Sequence, residues 1–517
     1  MGEVETGMTG DPEQGHPRRW LILGIMCTCL VLVVAGVSSL NLAIPSIIED
    51  LNPTSTETLW IIDGYALVFA GLLLPCGAIG DRYGRKGALL VGLAIFAGCA
   101  LWASTASTPT MLIVARGAMG IGAALVMPAT LSIIISVFPL HERSKAIGAW
   151  AGFAGAGAAV GIIAGGVLLE SYWWGSVMLI NVPIALLAAV LIATVVPTSR
   201  DENETPLDLV GAALSIAGLG ALVYAIIEGG EIGWLEGTTI TWFVAAAVFL
   251  TAWIGWERRA THPMLDPSLF SKAPFSIGSI ALIAAFGVMF GMFFLLTQYF
   301  QFVQGYGPLA AGIRNLPFAA TMIVVSSISP RVAARAGKRG AMVLGLGLQA
   351  LGFVLFAQLT PDTPYSLVVI PMVILAAGMA MLMPAASESI VSSVPPSKAG
   401  VGSAWNDATR EIGGALGIAV LGTLLSMGYR DGMEEPLAAL PDEAAEAAEE
   451  GIGGAFAVAE GTGAVEIIEP ARQAFVDGMS MAYIAAAISS ALVAVVVMAR
   501  YPKKVDEPEA VTEVAPG

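Results

Sequence analysis

The stretch Gly77–Gly87, which reads GAIGDRYGRKG, sets the organisation of the whole chain. It separates two apolar runs, Leu59–Ile79 and Ala88–Trp102, which we interpret as membrane-spanning helices. The whole stretch, which we call the first elbow, holds one acid, three bases and four glycines. A turn this short and basic predicts a helical hairpin whose tip lies in the cytoplasm, because positively charged loops stay on that side of a membrane.

A weaker copy of this elbow lies about 250 residues further along, where Pro330–Gly340 reads PRVAARAGKRG. Five positions agree: Arg82 with Arg335, Gly84 with Gly337, Arg85 with Lys338, Lys86 with Arg339, and Gly87 with Gly340. The register continues, since LVMPA at 125–129 resembles MLMPA at 381–385 and SKA at 144–146 recurs at 397–399. One unit of six spans is therefore used twice, and such repeats place a substrate site between the halves near the bilayer midplane.

The composition indicates the class of protein. Hydrophobic residues make up 56% of the 517 residues and charged residues 12%, with a mean hydropathy of +0.79, which predicts an all-α polytopic membrane protein. The four cysteines lie within apolar runs and the three histidines are scattered, so we expect neither a disulfide nor a metal site. We also expect no cofactor, no catalytic residues and no nucleic-acid partner.

The apolar runs predict fourteen spans, at 20–44, 59–79, 87–104, 110–137, 145–168, 176–197, 208–227, 238–256, 274–296, 309–330, 340–359, 366–391, 400–427 and 479–500. With the N-terminus inside, 19 of the 24 Lys and Arg residues fall on the cytoplasmic side. The positive-inside rule therefore supports fourteen helices with both termini in the cytoplasm.

Spans 1–6 correspond to spans 9–14, which leaves spans 7 and 8 as an insert between the halves. The predicted regions are a cytoplasmic N-terminal tail (1–19), an N-terminal six-helix bundle (20–197), a two-helix insert with flanking cytoplasmic linkers (198–273), a C-terminal six-helix bundle (274–500) and a cytoplasmic C-terminal tail (501–517). Within the C-terminal bundle, 428–478 is predicted to be an acidic external loop, solvated and partly helical.

These features resemble the major facilitator superfamily. GAIGDRYGRKG is similar to the signature of its loop between helices 2 and 3, and fourteen spans resemble its drug:proton antiporters of the QacA/EmrB type. Further similar stretches are Trp60–Tyr65, Arg116–Gly122, Leu179–Pro183, His262–Phe270 and Val401–Gly417. The resemblance covers nearly the whole chain and implies the major facilitator fold, with small amphipathic substrates, protons and the lipid bilayer as partners.

Span 13 carries the strongest candidates for proton coupling or substrate binding. Asp407 and Glu411 are four residues apart on one helix face, and Arg410 lies between them. If the span begins near Val401, Asp407 lies roughly 9 Å and Glu411 about 15 Å into the bilayer. Acids this deep must be paired or line a cavity, and one arginine fully neutralises only one of them. A purely structural ion pair is the alternative.

Three further charged residues in spans are candidates for the same role: Asp63 in span 2, Arg116 in span 4 and Glu388 in span 12. The resemblance implies that Arg116 relays protons or tunes a carboxylate, whereas a structural arginine bonded to carbonyl groups is the alternative. Many members of the family carry an aspartate in span 1 at the position of Gly36, so coupling through that span is not expected here.

The family resemblance also implies a gating role for the elbow, which is thought to hold the two halves together on the cytoplasmic side. Its candidate residues are Gly77, Asp81, Arg82, Gly84, Arg85 and Lys86. Span 5 resembles the family's antiporter helix through Gly157, Gly161, Gly165 and Gly166, although Ile162 stands where a proline is usual. The alternatives are a topology signal for the elbow and close helix packing for the glycines.

The sequence therefore predicts a proton-coupled exporter of amphipathic, often cationic drugs or antiseptics, working by alternating access in a bacterial cytoplasmic (inner) membrane. A dedicated exporter of one endogenous metabolite or antibiotic is the second interpretation. A non-transporting sensor or multi-span enzyme is the third, and it is disfavoured because the chain has no nucleophile–base spacing and no sizeable soluble domain. An adaptor protein remains possible, but no residue supports one.

Overall fold

The computed structural model describes residues 15–200, 206–438, 440–449 and 451–502, and all regular structure within them is helical. The α-helices are α1 (Arg19–Leu51), α2 (Ser55–Tyr83), α3 (Arg85–Ser104), α4 (Pro109–Val137), α5 (Leu140–Ser171), α6 (Ser176–Leu179), α7 (Asn181–Val195), α8 (Leu209–Glu231), α9 (Gly237–Glu257), α10 (Ala273–Gln298), α11 (Pro308–Ile313), α12 (Leu316–Phe356), α13 (Tyr365–Ser392), α14 (Ala399–Leu437), α15 (Asp442–Glu449), α16 (Ile452–Thr462) and α17 (Ile468–Arg500). Most of the two predicted tails lies outside the described residues.

The chain is a multi-span membrane protein. Twelve helical stretches of the described residues are long and apolar enough to cross a bilayer. One of them, Leu309–Phe356, is 48 residues long and contains a break at Gly337, where φ is 73° and ψ is 165°. The Gly-rich helix α5 has 32 residues and is not among the twelve.

The two elbows that the sequence pairs both turn at a glycine with a positive φ. Gly84 separates α2 from α3 with φ +110°, and Gly337 breaks α12 with φ +73°. A side chain is strained at such positive φ values, so glycine is required at both corners. The sequence register that aligns Gly84 with Gly337 is thus also a structural register.

The contacts between helices follow the same repeat. In the N-terminal half α1 packs against α5, and both α2 and α3 pack against α4. In the C-terminal half the equivalent helices do the same, since α10 packs against α14 and α12 packs against α13. The halves meet where α2 contacts α14 and where α5 contacts α12. Because α2 corresponds to the first part of α12 and α5 to α14, these two contacts are equivalent.

The helices of the predicted insert lie against the outside of this joint. Helix α8 packs on both α2 and α14, and α9 packs mainly on α8. On the N-terminal half Tyr224 stacks on Trp60, with ring centroids 6.0 Å apart. On the C-terminal half the Trp234 indole donates to the Thr423 hydroxyl at 2.9 Å. The insert therefore contacts both halves.

Most of the predicted external loop 428–478 is helical in its described part. Helix α14 continues to Leu437, α15 and α16 follow, and α17 begins at Ile468. Ala448, Ile452 and Ala455 are buried, and the Tyr429 hydroxyl donates to the Ala448 carbonyl at 3.1 Å. Small apolar residues interleaved with acids allow these helices to bury one face, which the acidic composition alone did not reveal.

Glycines allow the closest helix contacts. A Cβ atom at Gly417 of α14 would overlap with the Gly287 carbonyl group of α10. A Cβ atom at Gly220 of α8 would meet no atom within 4 Å. Small residues at such crossings let helix backbones approach each other in lipid, where apolar burial gives little driving force.

Gly417→Ala should therefore destabilise the protein by about 1–3 kcal/mol or more, because α10 and α14 must separate to accept the methyl group. Gly220→Ala is the matched control and should retain the wild-type midpoint or raise it slightly. Thermal unfolding of both variants in detergent measures the effect. Equal unfolding midpoints for Gly417→Ala and the wild type would contradict the packing argument.

Candidate functional site

The first candidate region lies at the elbow, where Asp81 joins the two halves. One oxygen of its buried carboxylate accepts hydrogen bonds from the Arg85 guanidinium at 2.9 and 3.0 Å and from the Gly400 N–H at 2.9 Å. The other oxygen accepts from the Val401 N–H at 3.1 Å. Gly400 and Val401 lie in the first turn of α14, whose N–H groups have no partners within the helix. An acid of the N-terminal half thus caps a helix of the C-terminal half.

Two neighbours complete this contact, which we call the first clamp (Asp81 and Arg85 with the start of α14). Arg85 also donates to the Pro396 carbonyl at 3.0 Å, just before α14. A Cβ atom at Gly77 would lie 2.6 Å from the Gly400 carbonyl oxygen, so only glycine permits this approach. The first clamp therefore requires a glycine, an acid and an arginine from the elbow.

The remaining elbow bases lie outside the first clamp. The Arg82 guanidinium lies 5.4 Å from the centroid of the Tyr83 ring, and Lys86 donates to the Ala193 carbonyl of α7 at 2.8 Å. Gly84 forms the corner described above. These residues shape the elbow and its contact within the N-terminal half.

Glu388 lies near the second elbow, away from the acids of α14. Its carboxylate is 3.0 Å from the Lys338 ammonium group and accepts a hydrogen bond from the Ser144 hydroxyl of α5. We call this group the second clamp (Lys338, Glu388 and Ser144). It also crosses between the halves, but the Glu388 side chain is 21% exposed, whereas the Asp81 side chain is 7% exposed.

The second candidate region is the charged segment of α14, predicted as span 13. Asp407 is buried and pairs with Arg410, with Oδ1 and Nη1 3.3 Å apart. Its second oxygen, Oδ2, has no hydrogen-bond partner among the described residues. Glu411 lies one turn deeper, is partly exposed, and has no ion-pair or hydrogen-bond partner in the described chain. Arg410 therefore pairs with Asp407 and leaves Glu411 available.

Aromatic rings from both halves hold Arg410 in place. Its guanidinium carbon lies 4.7 Å from the centroid of Phe286 on α10 and 5.4 Å from that of Trp150 on α5. Trp150 is itself oriented by donation to the Thr130 hydroxyl at 3.3 Å. Such cation–π contacts stabilise a desolvated guanidinium. Neither Trp150 nor Phe286 could be predicted from the sequence as a partner of Arg410, since only the folded chain brings α5 and α10 next to it.

Arg116 faces this region from the N-terminal half. It is 1% exposed, donates from Nε to the Ile61 carbonyl at 3.2 Å, and lies 4.5 Å from the centroid of the Tyr65 ring. Its Nη1 and Nη2 groups and the Tyr65 hydroxyl have no hydrogen-bond partner among the described residues. Asp63 is within electrostatic range of Arg116, and Glu411 is within electrostatic range of Tyr65.

These groups form what we call the central cluster: Asp63, Tyr65, Arg116, Asp407, Arg410 and Glu411. It combines α2 and α4 of one half with α14 of the other, and these helices are in contact. Tyr65 was noted in the sequence only as part of a similar stretch. Its position one turn of α2 from the Ile61 carbonyl that Arg116 binds identifies it as a member.

The glycine stripe of α5 packs on α1. Added Cβ atoms at Gly157, Gly161 and Gly165 would meet atoms of α1 at 3.0, 2.5 and 3.2 Å. Gly166 instead faces Leu309 of α11, at 2.7 Å. The contacts account for these glycines as packing residues between α1 and α5, and Gly166 contributes a contact to the C-terminal half.

The position of the absent span-1 acid lies away from the central cluster. A Cβ atom at Gly36 would point at the Phe96 ring at 3.4 Å and at the Asn181 amide at 3.7 Å. Both neighbours belong to the N-terminal half. In this conformation, the charged groups of the central cluster come from α2, α4 and α14.

Comparisons with known proteins agree with this architecture. The family model described as Major Facilitator Superfamily matches residues 26–418. The multidrug efflux pump LfrA of Mycolicibacterium smegmatis is 36% identical over 488 residues, which cover 93% of this chain and 96% of that protein. The methyl viologen resistance protein SmvA of Salmonella typhimurium is 33% identical, with coverage of 92% and 97%.

A solved structure shows the same fold at low sequence identity. The human organic anion transporter MFSD10 superposes with a TM-score of 0.61 at 14% identity, covering 93% of this chain and all of that one. At this identity the likeness concerns the fold alone. The family to which the chain belongs is shown by the matching family model and by the two long alignments to efflux and resistance proteins. The chain belongs to the major facilitator superfamily.

Proposed function

We propose that the protein is a proton-coupled exporter of amphipathic, often cationic compounds. The charge of the central cluster carries the proposal. It contains three acids and two bases, and Arg410 pairs with Asp407 while Asp63 lies near Arg116. One negative charge remains, on Glu411, which has no partner of its own among the described residues. One proton or one monovalent cation neutralises it.

Competition for Glu411 then couples the two flows. A carboxylate that holds a proton does not pair with a cationic substrate, so binding of one requires release of the other. Because charge in the membrane interior is costly, the neutralised state is the one in which the two halves exchange access. A proton moving inward is thereby exchanged for a substrate moving outward.

The relatives support export of drugs. LfrA is described as a multidrug efflux pump, and SmvA confers resistance to methyl viologen, which is a dication. Export of a single metabolite or antibiotic is the second candidate, supported by the tetracenomycin C resistance and export protein of Streptomyces glaucescens, 31% identical over 508 residues. Both candidates are transporters and not enzymes, and both fit a bacterial inner membrane.

We also propose fourteen passes with both termini in the cytoplasm. The 48-residue stretch Leu309–Phe356 would be about 72 Å long as one helix, far more than a bilayer needs, and it breaks at Gly337. Helix α5 has 32 residues and packs along α1. Counting Leu309–Phe356 as two passes and adding α5 raises the twelve stretches to fourteen passes. These passes divide into two six-helix bundles and the α8–α9 insert.

Labelling of single cysteines tests this topology. In a variant that lacks the four native cysteines, Ala336→Cys should react with an impermeant thiol reagent from the cytoplasmic side. Asp362→Cys should react from outside, because one pass of α12 separates the two positions. Reaction of both from the same side would contradict the two-pass arrangement.

The first clamp, in this proposal, closes the cytoplasmic side while the substrate site is open to the outside. Asp81→Asn should leave insertion intact and lower the transport rate at least tenfold, because an amide offers only one accepting oxygen for the four N–H donors of Arg85, Gly400 and Val401. Glu469→Gln, which alters an exposed external pair with Arg472, is the control. A wild-type rate for inserted Asp81→Asn would contradict the gating role.

Glu411→Gln tests the coupling step. The variant should abolish uphill, pH-driven export and release no proton when substrate is added to the detergent-solubilised protein, while it still binds substrate. Asp407→Asn should weaken binding of cations more than of neutral compounds, because Arg410 loses its partner and its charge is uncompensated. Proton release by Glu411→Gln equal to that of the wild type would contradict the assignment.

A further inference from the structure

The two walls of the central cluster differ in hydrogen-bonding chemistry. On the N-terminal half the unpartnered groups are donors, namely the Tyr65 hydroxyl and the two terminal nitrogens of Arg116. On the C-terminal half the unpartnered groups of the cluster are acceptors, namely Oδ2 of Asp407 and the Glu411 carboxylate. Of these two acids, Glu411 is the one within electrostatic range of Tyr65. Tyr65 is 3% exposed and Arg116 is 1% exposed, so these donors are held inside the protein without a protein acceptor.

Backbone contacts fix the donor wall in position. A Cβ atom at Gly120 of α4 would lie 2.7 Å from the Tyr65 carbonyl oxygen, so α2 and α4 are in direct backbone contact there. Arg116 is anchored by its Nε bond to Ile61, and Tyr65 also stacks on Phe69 with ring centroids 5.8 Å apart. The donors are therefore preorganised, which lowers the entropic cost of binding an acceptor.

A buried donor without an acceptor costs about 1–3 kcal/mol. Asp407 does not supply the acceptor, since its Oδ2 atom has no hydrogen-bond partner among the described residues. Glu411 does not supply it in this conformation, since no salt bridge joins it to Arg116. Nor is it available while it holds a proton or a cationic substrate. Asp63 lies near Arg116 and compensates its positive charge. The Nη1 and Nη2 groups of Arg116 and the Tyr65 hydroxyl nevertheless have no hydrogen-bond acceptor among the described residues. An acceptor group on a bound ligand would satisfy these donors.

We propose that Tyr65 and Arg116 form a subsite for a hydrogen-bond acceptor on the substrate. This inference rests on the proposed export function and specifies its substrate class. The preferred substrates are amphipathic monocations that place a positive charge beside Glu411 and a carbonyl, ether or hydroxyl oxygen at the opposite end. The aromatic rings of Trp150 and Phe286 lie beside Arg410, the residue just before Glu411. A cation without an acceptor binds by its charge alone.

A matched pair of phosphonium ions isolates the acceptor. (4-Acetylphenyl)triphenylphosphonium and (4-ethylphenyl)triphenylphosphonium carry the same charge and are of closely similar size, but only the first has a carbonyl group. Their dissociation constants are measured on the purified full-length protein, and their transport is measured in liposomes with an imposed pH gradient. The ratio of the two constants in each variant cancels differences in partition into detergent or lipid.

Tyr65→Phe removes only the hydroxyl and keeps the ring beneath Arg116. Relative to the wild type, it should raise the dissociation constant of the acetyl compound about three- to tenfold compared with that of the ethyl compound, which is the effect of losing one hydrogen bond. Tyr172→Phe, at an exposed tyrosine just after α5, should leave the ratio unchanged. Glu411→Gln should weaken the binding of both ions by the same factor and should therefore also leave the ratio of the dissociation constants unchanged.

The outcomes separate this inference from the export function. If the wild type moves neither ion, export of this class of cation fails and the subsite fails with it. If both ions move but Tyr65→Phe keeps the wild-type ratio, export stands and the subsite is overturned. If Tyr65→Phe weakens the binding of both ions equally, the Tyr65 hydroxyl acts through Glu411 and the acceptor subsite is again overturned.

Discussion

Charge inside a bilayer is tolerated only when it is paired, hydrogen-bonded or open to water, and this constraint governs the described structure between its two halves. Asp81 is buried but accepts hydrogen bonds from Arg85 and from two N–H groups of α14. Asp407 is buried but pairs with Arg410, which in turn lies between two aromatic rings. Glu411, which has no such partner, is the acid of α14 that is partly exposed. Pairing thus decides which of the two acids, Asp407 or Glu411, is left without a partner among the described residues.

Much of the fold follows from the sequence because it depends on local and periodic features. The repeat, the elbow corners at Gly84 and Gly337, and the helical hairpin around Gly77–Gly87 are all encoded by residues close together in the chain. The pairing of Asp407 with Arg410 is likewise a local, three-residue spacing on one helix. Contacts between distant helices were not predictable, since a single sequence shows no pairing between them.

The central cluster shows where the sequence reasoning stops. Asp407, Arg410 and Arg116 stand out because a charge in an apolar run is conspicuous. Tyr65 does not stand out, since its aromatic ring fits an apolar helix and its significance comes from the unpartnered hydroxyl beside Arg116. Glu388 stood out for the same reason as the other acids, yet the fold places it with Lys338 and Ser144 at the second elbow. Charge marks candidate residues, and the fold decides which of them meet.

The two clamps show how the repeat has diverged. Arg85 and Lys338 occupy equivalent positions, but the acid of the first elbow, Asp81, corresponds to Ala334 in the second. The second clamp takes its acid from α13 instead, and Glu388 still reaches the beginning of α5, which is the equivalent of α14. Each clamp therefore joins an acid–base pair of one half to the start of a helix of the other half.

The clamps differ in burial, and this difference gives the two joints unequal strength. An exposed ion pair contributes about 0–1 kcal/mol, whereas breaking a buried pair costs about 3–5 kcal/mol. The first clamp is almost fully buried and the second is about one-quarter exposed. Separation of the halves at this end should therefore begin where α5 meets α12 and α13, while the contact of α2 with α14, covered by α8 from outside, resists opening longer.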